Sequence, residues 1–145
     1  MARNSLERSG WIGFAVLGLV MGGLFAAEGR FVPAALAAGA LLGLAWWMAP
    51  WRGGRSPRHA ALQELPTGDR PVVIYWRPGC AFCSRLRAAL GDAGKQATWV
   101  NIWQDAEAAD YVRSVNGGDE TVPTVVLDGQ PVTNPDPRRV REHLR

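Results

Sequence analysis

Arg77-Pro78-Gly79-Cys80-Ala81-Phe82-Cys83-Ser84-Arg85-Leu86-Arg87 holds both cysteines of the chain, three residues apart. The run Val72-Val73-Ile74-Tyr75-Trp76 before it reads as a strand, and Phe82, Leu86, Ala89 and Leu90 recur on one face of a following helix. The cysteines therefore stand where a strand turns into a helix. At that spacing their Cα atoms lie about 5 to 6 Å apart, the separation that a disulfide requires. Cys80, at the helix start, faces unpaired backbone N–H groups and the positive end of the helix dipole, and Arg77 adds a cation. These effects favour thiolate over thiol, so Cys80 is the expected nucleophile and Cys83 its partner.

A Cys-x-x-Cys pair also opens many zinc sites. Structural zinc takes about four ligands, and the chain's two histidines are His59, in an apparent linker, and His143, near the C-terminus. On the residues alone, thiol chemistry, metal binding and an inert pair are all open. The strand-to-helix context favours the first, with no metal site expected.

Working outward, the 145 residues suffice for one small domain and something more, and the apolar residues are concentrated at the front. Residues 11–27 and 31–51 carry no charge, and each approaches the roughly 20 residues that cross a bilayer. Glu28-Gly29-Arg30 makes the turn between them, and Pro33 sits near the start of the second run, where a helix tolerates it. Residues 1–51 are therefore expected to form a transmembrane helical hairpin. A secretory signal with Arg3 and Arg8 as its basic region is the alternative, but cleavage after Ala27 would put bulky Phe25 where a small residue is wanted.

Arg3 and Arg8 precede the hairpin and Arg52, Arg55 and Arg58 follow it, whereas the turn offers Arg30 beside Glu28. Both ends are expected on the cytoplasmic side. Trp11 on one leg and Trp46, Trp47 and Trp51 on the other belong to one membrane face, with Phe25 and Phe31 at the other. Gly18-x-x-x-Gly22 and Gly39-x-x-x-Gly43 lie at similar depths and would let helices approach closely, unless they only reflect how common glycine is in membrane helices. No ionisable residue lies inside either span, which argues for an anchor rather than an ion pathway.

The net charge of +3 is dominated by arginine, and the cluster from Arg52 to Arg58 suits anionic headgroups. It lacks the interleaved aromatics of a nucleic-acid site, and no nucleic-acid partner is expected. Residues 52–70, rich in Gly, Pro, Ser and Arg, read as a basic linker with a helical turn around Ala60 to Leu65. The folded domain is expected over residues 71–145 as a compact two-layer α/β unit.

Within it, Gly91 and Gly94 stop the cysteine helix and residues 97–103 form a second strand. Asp105 caps a helix with Ala108, Tyr111, Val112 and Val115 on its inner face, which Asn116-Gly117-Gly118 ends. Thr121-Val122-Pro123-Thr124-Val125-Val126-Leu127 enters a third strand, and Asp128-Gly129 turns it into a fourth at residues 130–133. Pro131 places that strand at the sheet edge. Asp136 caps a final helix that starts with Pro137 and turns Val140 and Leu144 inward, leaving Arg138, Arg139, Arg141 and Arg145 as a solvated face, with a docking patch for an acidic partner as the alternative. The order is β-α-β-α-β-β-α, that of a thioredoxin-like fold.

Over residues 71–145 the sequence resembles the glutaredoxin branch of the thioredoxin superfamily, through Tyr75-Trp76-Arg77-Pro78-Gly79-Cys80-Ala81-Phe82-Cys83 and Thr121-Val122-Pro123. Asn101-Ile102-Trp103-Gln104-Asp105 and the stretch from Asn116 to Val125 look most like mycoredoxins, which use mycothiol in place of glutathione. The resemblance implies that Cys80 attacks, that Cys83 resolves, and that Pro123 is a cis-proline presenting the backbone of Val122 to an extended substrate. It also implies that Arg77, Phe82 and Thr121 line the substrate site. Thr133-Asn134-Pro135-Asp136-Pro137 stands where glutathione-using members carry Gly-Gly and an acidic residue, which favours mycothiol as electron donor, and Ala81 replaces the usual proline.

The expected protein is a multi-pass cell-membrane thiol–disulfide oxidoreductase with its redox domain on the cytoplasmic side and no bound cofactor. Its partners would be a small thiol and thiol-modified or disulfide-bonded proteins. The rival readings are an extracytoplasmic disulfide exchanger, an iron–sulfur cluster-binding module shared between two copies, and a redox-sensing membrane subunit without turnover.

Overall fold

A computed structural model describes residues 2–66 and 72–144, the side chains from Ser9 onward. The side chains of Arg3 and Arg8, residues 67–70, Pro71 and Arg145, on which expectations were placed, lie outside the described part. The chain divides into two compact units, Met1–Arg52 and Gly53–Arg145.

In the first unit, α1 (Ala2–Ala27) and α2 (Phe31–Met48) are both long and apolar enough to cross a membrane. Gly29 takes φ +72° in the turn between them. Of the two glycine pairs, only the first lies at the helix contact. A Cβ on Gly18 would stand 3.0 Å from that of Leu41, and one on Gly22 would stand 3.0 Å from that of Ala38. Gly39 and Gly43 have nothing within 4 Å, because Ala34, Ala38 and Leu41 form the ridge that α2 presents to α1.

The second helix stops at Met48, short of the expected Trp51, since Pro50 disfavours helical backbone at the residue before it. Ala49 is accordingly extended, with φ −63° and ψ 132°. Trp11 and Trp51 meet edge to face at 4.7 Å, and the Arg52 guanidinium lies 4.7 Å from the Trp46 ring. At the opposite end Arg30 lies over Phe25.

In the second unit, a short helix α3 (His59–Gln63) precedes β1 (Val73–Trp76), α4 (Ala81–Leu90) and a 3-10 helix, Gly91–Gln96. Then come β2 (Thr98–Asn101), α5 (Ala106–Val115), β3 (Thr124–Leu127), β4 (Gln130–Thr133) and α6 (Pro137–Glu142). The sheet order is β2-β1-β3-β4. β1 and β2 are parallel with Trp76 opposite Asn101, while β3 runs antiparallel to β1 and pairs with β4. Asp128 and Gly129 have positive φ, as a two-residue hairpin turn needs. The arrangement is thioredoxin-like.

The sheet is covered on both faces, not on one as a two-layer unit would be. Val73 and Tyr75 pack with Val100, Ala108 and Val112 on the α5 side. Ile74 and Val125 pack with Leu86, Leu90 and Val140, from α4 and α6, on the other. All four residues of β1 are buried, so its unbroken apolar run is that of a strand enclosed on both faces. The buried stripe of α4 is Cys83, Leu86 and Leu90, whereas Phe82 and Ala89 are exposed. The expected face is corrected by the cysteine pair: with Cys83 turned inward beneath Cys80, the helix rotates Phe82 and Ala89 off the core.

The stretch read as linker is fastened to this unit. Ser56 Oγ accepts from Asn101 N–H at 2.8 Å, and Asp105 accepts from His59 N–H at 2.6 Å.

Candidate functional site

β1 delivers the chain to the site at the end where the parallel strands stop. Gly79 takes φ +74° in the turn, a conformation that L side chains rarely adopt. Cys80 is the N-cap of α4, in extended backbone, and its sulfur accepts the Cys83 N–H at 3.1 Å. Ser84 donates to the Cys80 carbonyl through both its N–H and its hydroxyl, at 3.1 and 3.2 Å. The first turn of α4 is thus organised around Cys80.

Cys80 and Cys83 form a disulfide with Cα atoms 5.3 Å apart. The two sulfurs are not equivalent. Cys83 is 3% exposed and belongs to the core beside Tyr75, Trp76 and Val100, while Cys80 is only partly buried and packs at the margin of that core. A bulky disulfide can approach Cys80 and not Cys83.

Facing the pair is the Val122–Pro123 peptide bond, which is cis. The Val122 carbonyl oxygen lies 3.5 Å from Cys80 Sγ. Three contacts hold this segment: Thr124 Oγ1 donates to the Thr121 carbonyl at 2.7 Å, Asn116 Nδ2 donates to Thr124 Oγ1 at 3.0 Å, and Asn134 N–H donates to the Pro123 carbonyl at 2.8 Å. Asn116 also caps α5 through the Val112 carbonyl at 2.7 Å.

Cys80, Cys83, Val122 and Pro123 are therefore gathered in one place. Arg77 is half-buried directly after β1, and Thr121 is exposed ahead of the cis bond. Phe82 is 54% exposed and flanks a cleft of about 320 Å³ lined by Arg85, Leu86, Asn134, Pro135 and Asp136. The Arg85 guanidinium lies 5.6 Å from the Phe82 ring. Among the described residues, no group of three or more His, Cys, Asp or Glu stands close enough to hold a metal ion.

Sequence reasoning missed the groups packed behind the site. His59 Nδ1 lies 2.6 Å from the Tyr75 hydroxyl, and its ring stacks on Tyr111 at 4.8 Å. Burial, foremost, pushes the Tyr75 and Tyr111 phenols above their ordinary range and the His59 imidazole below its own. Arg87 lies between Trp76 and Trp99, 4.6 and 4.2 Å from the two rings. Its i+4 spacing from Cys83 was the available signal; its aromatic partners, on two strands, were not visible.

Comparison with known proteins bears on these features. The glutaredoxin family model matches residues 72–132. A Mycobacterium tuberculosis protein with a glutaredoxin name is 40% identical over 74 residues, covering 50% of this chain and 88% of that protein. Mycoredoxin 1 of Corynebacterium glutamicum is 40% identical over 65 residues, 44% of this chain and 80% of its own length. The gene 56 protein of Mycobacterium phage D29 is 37% identical over 73 residues, 50% of this chain and 80% of its own. None of these matches accounts for the whole chain.

Proposed function

This chain belongs to the glutaredoxin family and is a thiol–disulfide oxidoreductase served by a low-molecular-weight thiol, and from that premise we propose that it reduces mixed disulfides between proteins and mycothiol at a membrane. In this reading the Cys80 thiolate attacks the mycothiol sulfur of the mixed disulfide. A Cys80–mycothiol disulfide forms, and the protein leaves as a thiolate that takes a proton from solvent. A second mycothiol thiolate then attacks the bound mycothiol sulfur, giving mycothiol disulfide and restoring Cys80. In the second route Cys83 attacks Cys80, mycothiol departs, and the Cys80–Cys83 disulfide closes.

One observation carries the reading: the accessible sulfur is the N-cap of α4 and receives the Cys83 N–H at 3.1 Å. A helix N-terminus lowers the cost of a sulfur anion. Arg77, three residues before Cys80 in the chain, supplies a cation that in this reading favours the thiolate. The Val122 backbone, beside Cys80 and ahead of Pro123, is suited to pair with an extended thiol, with Thr121 and Phe82 as flanking contacts. Mycothiol is favoured over glutathione by the likeness to mycoredoxin 1 and by the loop Asn134-Pro135-Asp136-Pro137.

The two apolar helices of residues 1–51 support a multi-pass anchor, and the arginines flanking them support a cytoplasmic redox unit. The test is turnover of a mycothiol mixed disulfide by the full chain in detergent micelles, against the glutathione equivalent. Mycothiol turnover should exceed glutathione turnover, Cys80→Ser should remove it, and Cys83→Ser should retain the one-cysteine route. Equal turnover with glutathione would overturn the thiol assignment, and an external signal from a C-terminal reporter fusion would overturn the orientation.

A further inference from the structure

Residues 53–63 precede the stretch that matches the glutaredoxins, yet they are bound closely to it. Gly53, at φ +95°, lies flat against Trp76, where a Cβ would come within 2.5 Å of the ring. Gln104 Nε2 donates to the Gly54 carbonyl at 3.1 Å and its Oε1 accepts from Ser56 N–H at 3.3 Å. Asn101 N–H donates to Ser56 Oγ, and His59 is held from three sides by Asp105, Tyr75 and Tyr111. Within this set His59 is the group that changes charge near neutral pH.

We propose that residues 53–63 form a clasp on the redox unit with His59 as its proton-sensitive catch, so that acidification frees the segment and lengthens the tether of the enzyme. The tether consequence rests on the membrane reading given above; the opening of the clasp does not.

The direction follows from the burial of the ring. Burial keeps the Tyr75 phenol protonated, and its oxygen stands 2.6 Å from His59 Nδ1. Burial favours the neutral imidazole in the clasp. Adding a proton puts a charge in a half-buried place beside the Tyr75 and Tyr111 rings. The groups facing the ring are Asp105, which precedes α5, Glu107 and Tyr111 on α5, and Tyr75 on β1. The two carboxylates pull toward protonation, and desolvation outweighs them. A freed His59 titrates near its ordinary value of about 6.5 and the clasped one below it. The clasp is therefore at full strength above about pH 6.5 and weakens as pH falls through the interval beneath. Release of eleven residues adds about 36 Å of extended chain.

The test is hydrogen exchange followed by mass spectrometry on the full chain in detergent micelles at about pH 7.5 and about pH 5.5, corrected for the intrinsic pH dependence of exchange. Peptides from residues 53–63 should lose protection several-fold at the lower pH, while peptides from β1 and α5 keep theirs. His59→Phe retains a ring against Tyr111 but cannot be protonated, and its protection should not respond to pH. His59→Ala should leave the segment open at both. Equal protection of the wild-type segment at both pH values overturns the proposal. So does a pH response that persists in His59→Phe, wild-type protection in His59→Ala, or loss of protection shared with the sheet. The readout uses neither turnover nor a bilayer, so its failure is distinct from failure of the oxidoreductase or membrane readings.

Discussion

The N–H of Asn134 donates to the carbonyl of Pro123 across 2.8 Å, tying the loop after β4 to the residue that faces the cysteine pair. Asn134 makes this contact at φ +46°, in left-handed backbone that asparagine tolerates better than other residues with a Cβ. Asn134→Ala is expected to lower stability by about 1 kcal/mol, and Asn134→Gly to leave it nearly unchanged. Urea denaturation of both variants checks this. Equal destabilisation by both would mean that the Asn134 side chain, not its backbone, matters.

Ile74 and Phe82 allow folding and recognition to be tested apart. Ile74 is fully buried between the sheet and α4, so Ile74→Ala should cost about 3 kcal/mol. Phe82 is exposed on the flank of the cleft, and Phe82→Ala should change stability by less than about 0.5 kcal/mol. Its kcat/KM for the mixed disulfide should nevertheless fall several-fold. Unchanged kinetics would remove Phe82 from the substrate site.

Arg87 joins two strands through the rings of Trp76 and Trp99. Removing the guanidinium loses both contacts together with the packing of its stem. Arg87→Ala should cost about 1 kcal/mol and alter tryptophan fluorescence of the folded state. Arg87→Lys should recover part of the stability, since a compact ammonium covers less of a ring than a planar guanidinium.

The hairpin offers a paired test. Gly22→Leu drives a side chain into Ala38 of α2, whereas Gly43→Leu adds one where nothing lies within 4 Å. In detergent, thermal melting of the hairpin should fall in the first and stay unchanged in the second. The reverse order would mean that α2 is rotated about its axis relative to the structure.

The strand and helix order was legible because each element carries its own punctuation: Asp105 and Asp136 at helix starts, Asn116-Gly117-Gly118 at an end, Asp128-Gly129 in a hairpin. The cysteine pair and Val122-Pro123 were legible as motifs of fixed spacing. Three features were not. Periodicity places Phe82 with Leu86, but the inward turn of Cys83 decides which way the helix rotates. Gly39 and Gly43 have the spacing of a contact without making one in the hairpin, since rotation about a helix axis leaves no trace in composition. The clasp joins residues more than forty positions apart through single side-chain hydrogen bonds, and its Gly, Pro, Ser and Arg content is that of an unattached linker.

The two margins of the sheet share a property that bears on behaviour in crowded conditions. At one, the outward N–H of Asn101 on β2 is already taken by Ser56. At the other, β4 carries Pro131, which has no N–H to offer. Neither margin presents an unbroken row of donors on which a foreign strand could be laid down, so many copies concentrated together have no ready template for cross-strand aggregation.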